Sequence, residues 1–315
     1  MSDRSIYPPL FSRRDAYKPA YAARIQEFIE AGHRAALLPA SEDQEKIAVI
    51  LVDYQHDFVH PSGALYVPGS QGDIDRFLIW FYKHAHRITS VYASMDTHLP
   101  YHIFYNVWWK SSRTGEHPQP YTEITEEDLI NEVWIPSFQS DFDWSLHYVH
   151  RLKQQAKKNL MIWPYHTVEG TLGHMLCAPI SEAIAWHSAA RKTQPVYIAK
   201  GRTRRTEYYG IFGAEIPDPN DPESDLNSEL LEALLNHDKL YVAGEAKSHC
   251  VLESEKQLVH YFASRQQLVN KVHFLIDCTT SIKTPTYDFE DQTEKELAAM
   301  QKLGVKMVKS SDPLD

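Results

Sequence analysis

Apolar positions recur along the chain in two periods that take turns. Ile47–Asp53 (IAVILVD) is a continuous apolar run too short for a helix, and it predicts a buried parallel strand. Over Asp73–Thr89, Ile74, Phe77, Leu78, Phe81 and Ala85 fall on one face, which predicts an amphipathic helix. The alternation continues with strands over 90–95, 159–163, 195–199, 239–243, 272–276 and 305–308. Helices are predicted over 140–158, 172–191, 227–236, 249–265 and 288–303. Strands alternating with helices predict an α/β domain with a parallel sheet and helices on both faces. Residues 1–45 break the pattern: they are polar, rich in Pro and Tyr, with one helical stretch at 21–35, and read as an N-terminal arm. Residues 46–315 read as one domain, and the aromatic segment 103–158 as an insertion into it.

Ligands of open parallel sheets gather beyond the carboxyl ends of the strands. Asp53 ends the first predicted strand, Asp96 the second and Lys200 the strand PVYIA. The stretch GEAKSHC after KLYVA puts Cys250 in the first turn of the next helix. Singly, these are an ordinary turn acid, a solvated lysine and a packing cysteine; their meeting at one edge suggests chemistry. A helix N-terminus lowers a thiol's pKa, a nearby Lys lowers it further, and a carboxylate can take the thiol proton. Backbone N–H groups at the helix start can hold an oxyanion. These parts suit acyl transfer through a thioester. Asp96 and His98, two residues apart, can point to one side of an extended segment. With His102 and His166 they offer a ligand set for a divalent metal, Zn²⁺, Fe²⁺ or Mn²⁺. In a chain with 17 His such pairings arise readily; His84 and His86 read as helix-face residues and His117 as a loop residue.

Composition narrows the classes. A net charge of −10 over 315 residues argues against a polyanion binder, so no nucleic-acid partner is expected. The longest aliphatic run, Ile47–Val52, falls far short of the roughly 20 residues of a spanning helix, and the N-terminus has no apolar signal core. No membrane partner is expected. Cys177, Cys250 and Cys278 form no CxxC, which argues against a disulfide framework and for a reducing, cytoplasmic setting. Cys177, within the helix 172–191, and Cys278 read as buried and inert. HExxH, GxSxG, GxGxxG and the P-loop pattern are absent, and no organic cofactor is expected.

At the strand-end residues the sequence resembles the nicotinamidase/isochorismatase-like cysteine hydrolases, over most of residues 46–310. VDYQHDF resembles the family's VDxQxDF, which implies Asp53 as general base and Phe58 as a substrate-stacking wall. MDTH resembles the metal motif DxH and implies Asp96 and His98 as ligands; IWPYHTVEGTLG implies His166 as a third ligand and Trp163 as a ring-stacking residue. His102 fits a fourth ligand position by spacing. IAKG resembles the lysine motif, giving Lys200, and GEAKSHCV resembles G-[ILV]-A-T-x-x-C-V, giving Cys250 as nucleophile. The resemblance implies a three-layer αβα sandwich around a six-stranded parallel sheet and a homo-oligomer, dimer or tetramer. It also implies a cis peptide between Glu245 and Ala246, and hydrolysis of a small amide such as nicotinamide to nicotinate and ammonia. Glu245 stands where the family has an aliphatic residue, and Lys247 and Ser248 replace Thr-Asp, a change that could alter charge near the thiol.

Two other readings remain. The same triad could act on a larger or anionic amide, selected by the insertion and the run Lys200, Arg202, Arg204, Arg205; otherwise those arginines form surface ion pairs. The chain could instead be a non-catalytic oligomeric scaffold, against which the intact Asp53, Lys200 and Cys250 stand.

Overall fold

The structure, a computed structural model, describes residues 23–155, 158–283 and 288–314. Residues 1–22 of the expected arm lie outside the described residues. The strands of the main sheet are β1 (Ile47–Val52), β2 (Ile88–Asp96), β3 (Val196–Lys200), β4 (Lys239–Gly244), β5 (Val272–Leu275) and β6 (Lys306–Val308). They lie in the order β6-β5-β4-β1-β2-β3, and every neighbouring pair is parallel. The chain winds outward from β1 in both directions, so the switch point of the sheet falls between β1 and β4.

The longer helices are α1 (Ile25–Ala35), α2 (Ser70–His84), α3 (Phe142–Gln155), α4 (Ala178–Arg191), α5 (Ser228–Leu235), α6 (Leu252–Phe262) and α7 (Glu290–Lys302). Side chains alternate across a strand, and β1 is buried on both sides. Ile47, Val49 and Leu51 pack in one cluster with Phe28 of α1, Phe77 of α2 and Ile180 of α4. Ala48, Ile50 and Val52 pack in the other with Leu231 of α5, Phe262 of α6 and Met300 of α7. That is why IAVILV carries no polar residue, and it gives the expected three layers. Among the described residues no helix is long and apolar enough to cross a membrane.

Three expectations shift. The helix expected over 172–191 starts at Ala178, because Pro179 belongs in a helix's first turn; Cys177 is its N-cap rather than an interior residue. The helix expected over 249–265 begins as a π-helical turn, Lys247–Val251, before α6. Of the run 159–163 only Leu160–Met161 is strand, and it pairs antiparallel with Glu123–Ile124 outside the main sheet.

Segment 103–158 adds a second small ribbon, Trp109–Ser111 against Trp134–Pro136, a short helix capped by Thr125, and α3. Tyr105, Trp108, Trp109 and Tyr148 are fully buried and join the cluster on one face of β1. Large rings bury much apolar area, and here that area welds the segment to the domain core.

Candidate active site

Strand register assembles the site. Asp96 and Lys200 are register partners at the ends of β2 and β3. Lys200 Nζ donates to Asp96 Oδ1 at 2.8 Å and to the Tyr208 carbonyl at 2.8 Å. Asp53 follows β1 with φ of 49°, a left-handed conformation that Asp adopts more readily than most non-Gly residues. Its N–H donates to Ser94 Oγ at 3.1 Å, and the Ser94 hydroxyl donates back to Oδ1. Asp53 Oδ2 receives no well-directed hydrogen bond but lies 3.0 Å from Lys200 Nζ. The same Nζ lies 3.6 Å from Cys250 Sγ, which the π-helical turn after β4 presents. Asp53, Lys200 and Cys250, expected together from strand ends, are therefore in one buried cluster across the switch point.

Burial would lower the Lys200 pKa, but Asp53 and Asp96 outweigh it and hold the ammonium well above its ordinary value. Burial pushes Asp53 up, against the pull of Lys200. Burial also pushes the Cys250 thiol well up, and Lys200 does not reverse this. The expectation of a thiol lowered by helix start and lysine is corrected: desolvation outweighs the Lys200 ammonium and holds the thiol above its ordinary value. Lys247 does not alter the thiol's surroundings, because its Nζ turns to Glu290 and Glu294.

The second constellation forms only in part. After β2 the chain bridges His98 to Val168, which brings His166 beside it. Asp96, His98 and His166 offer ligand atoms within 4.8 Å of one another, all buried. Backbone carbonyls meet the far nitrogens: Gly201 O lies 3.1 Å from His98 Nδ1 and Pro164 O 2.7 Å from His166 Nδ1. Such contacts fix a ring's orientation and turn Nε2 toward a metal. Gly201 (φ +83°) is required here, because a Cβ would come within 2.8 Å of the His98 ring and 2.9 Å of Asp96 Oδ1. The donor set and its cradle fit a divalent ion. His102 is not brought into this group; its Nε2 lies 3.0 Å from Gly201 O, and its ring packs on Phe104.

Cys250 and Ala246 line a cavity walled by Phe58, Phe104, Trp163 and Tyr209, with His98 and His166 beside them. Both expected stacking residues, Phe58 and Trp163, are on it. The Glu245–Ala246 peptide is cis, yet the Glu245 side chain faces away, its Oε2 accepting from Thr280 N–H at 3.3 Å. The arginines are spoken for. Arg202 pairs with Glu169, Arg204 lies over the Tyr101 and Trp108 rings, and Arg205 lies over Trp144 and pairs with Asp218. None of the three lines the cavity.

Gln55, Ser94, His249 and Glu207 are among the contributors that sequence reasoning missed. Gln55 clamps the Asp96 backbone, donating from Nε2 to its carbonyl at 2.8 Å and accepting its N–H at 2.7 Å. Ser94 holds Asp53. His249 and Glu207 line the cavity. Adjacency to Asp53, Asp96 and Cys250 was the available signal for the first three; Glu207 carried none.

The parallel order and the switch point define a doubly wound three-layer α/β fold. No protein-family model and no curated protein sequence matches the chain. Among solved structures it is similar to a nicotinamidase/pyrazinamidase of Acinetobacter baumanii, at 19% identity and a TM-score of 0.54, over 87% of this chain and 100% of that one. It is also similar to the yeast nicotinamidase Pnc1p bound to the inhibitor nicotinaldehyde, at 19% identity and a TM-score of 0.55, over 84% and 99%. A second structure of the yeast enzyme gives 20% identity and a TM-score of 0.54. The chain has the nicotinamidase fold.

Proposed function

We propose that the chain is a cysteine amidohydrolase cleaving a small amide of the nicotinamide type to the carboxylate and ammonia. One observation carries this reading: Lys200 Nζ stands 3.0 Å from Asp53 Oδ2 and 3.6 Å from Cys250 Sγ. The fold shared with nicotinamidases supports it. Asp53 takes the Cys250 proton, and Lys200 stabilises the resulting charges. The sulfur attacks the carbonyl carbon, forming a C–S bond, while the N–H groups of Ala246 and Cys250 hold the oxyanion. The proton on Asp53 passes to the amide nitrogen, the C–N bond breaks and ammonia leaves. Asp53 then deprotonates a water that attacks the thioester, the C–S bond breaks, Asp53 returns its proton to the sulfur, and the acid leaves, giving its proton to solvent as the carboxylate. Phe58 and Trp163 face the substrate ring.

Asp96, His98 and His166 would hold a divalent ion, with one carboxylate and two imidazoles suiting Zn²⁺, Fe²⁺ or Mn²⁺. When bound, it would supply a Lewis acid for a ring nitrogen or a water. The reading includes a cytoplasmic setting, in keeping with three free thiols, and a homo-oligomer. A scaffold has no use for an ammonium shared by two buried carboxylates and a thiol, a cluster that costs several kcal/mol to desolvate. The test is ammonia release from a panel of amides, nicotinamide first, by wild type and Cys250→Ala. The variant should lose at least about 10³-fold in kcat/KM and keep its melting temperature; retained turnover removes the mechanism.

A further inference from the structure

Glu207 brings to the cavity a carboxyl for which the amide-cleaving steps have no use. It lies on the same cavity as Cys250 and is 2% exposed. The Tyr209 hydroxyl donates to Oε1 at 2.7 Å, and the Tyr148 hydroxyl, from α3, donates to Oε2 at 3.0 Å. Tyr148 Oη accepts the Glu207 N–H at 3.0 Å, and Tyr209 Oη accepts Trp163 Nε1–H at 3.1 Å. A carboxylate has about four lone-pair sites, and the hydroxyls occupy two. Phe58, Leu65, Phe104 and Ile282 make most of the remaining cavity surface apolar. Each oxygen thus has one hydroxyl donor and keeps capacity for a second, which a donor on a bound ring can use.

Resting on the amidase reading above, we propose that Glu207 is a specificity-determining residue that accepts a hydrogen bond from an N–H or O–H on the substrate ring. The preferred substrates are then aromatic carboxamides carrying a ring donor, such as an amino group. Burial pushes the Glu207 carboxyl up to about 7, with Tyr209 and Tyr148 opposing, and Glu215 and Lys158 are the nearby charges. A bound donor favours the ionised form. A purely structural Glu207 would only clamp α3 to the loop after β3.

The test measures dissociation constants by calorimetry on Cys250→Ala protein, which needs no turnover. The probes are nicotinamide, its ring-amino isomers and the matching ring-methyl isomers, which are similar in size but lack the donor. At least one amino isomer should bind about tenfold or more tightly than its methyl counterpart. Adding Glu207→Gln should cut that ratio to below about threefold. Adding Tyr148→Phe, which loosens the clamp and keeps the carboxyl, should leave the ratio in place. Equal binding of every amino and methyl pair, no binding of any probe, or a ratio lost equally in both variants overturns the inference. If Glu207→Gln does not fold, the amino-to-methyl ratio of the parent protein decides. Ammonia release by wild type is a separate readout: its absence with the ratio intact removes the amidase reading and leaves the donor site standing.

Discussion

Asp53, Asp96, Lys200 and Cys250 stand at or just beyond the ends of four neighbouring strands, whereas Phe104, Trp163, Glu207 and Tyr209, on the cavity that Asp96 and Cys250 line, come from loops and the 103–158 segment. The first group is set by sheet register and held by one ammonium among three partners. The second is set by aromatic packing and a run of hydrogen bonds from Trp163 through Tyr209 and Glu207 to Tyr148. A floor of paired charges cannot lose its ammonium or a carboxylate without stranding another charge in low dielectric. A wall of rings and hydroxyls can change its members one at a time. On the proposed function, reaction and selection rest on separate parts of the fold.

Lys200→Met breaks the floor most severely. It leaves Asp53 and Asp96 buried without their cation, so it should destabilise the protein by about 3–5 kcal/mol and abolish hydrolysis, read by urea unfolding and ammonia release. Stability close to wild type would mean that the carboxylates do not depend on the ammonium. Glu207 gives the corresponding test of the wall. Its folded-state pKa is raised from 4.5 to about 7, so its contribution to stability is full below 4.5 and is lost as pH rises through 7. The loss is on the order of 3 kcal/mol. Glu207→Gln should flatten the fall in unfolding free energy across that window, and an unchanged slope would assign the fall to other groups. The residues proposed to hold a metal sharpen the contrast on a finer scale. His166→Ala should lose bound metal by elemental analysis, whereas His102→Phe, behind the ligand set, should weaken affinity by no more than about 10–100-fold. Equal loss in both would make His102 a ligand after all.

The floor was legible in the sequence because a strand end is a place that local pattern can find. Asp53, Asp96 and Lys200 each close an apolar run, and Cys250 opens the helical stretch after another. Direction was not legible. Spacing placed His102 near His98 but could not show its ring turning to Gly201 O. The same holds for Glu245, whose side chain leaves the cavity that its neighbour lines. Desolvation was not legible either: the helix start and Lys200 were visible along the chain, but the burial that outweighs them at Cys250 is a property of packing. Glu207 meets Tyr148 across 59 positions, a contact that no local period encodes.

In the proposed reaction Cys250 carries the acyl group. Mass spectrometry of wild type quenched during turnover of nicotinamide should find a nicotinoyl group on the peptide containing Cys250, with ammonia released and neither signal in Cys250→Ala. Ammonia release at the wild-type rate by Cys250→Ala, with no adduct on the Cys250 peptide of wild type, would contradict it.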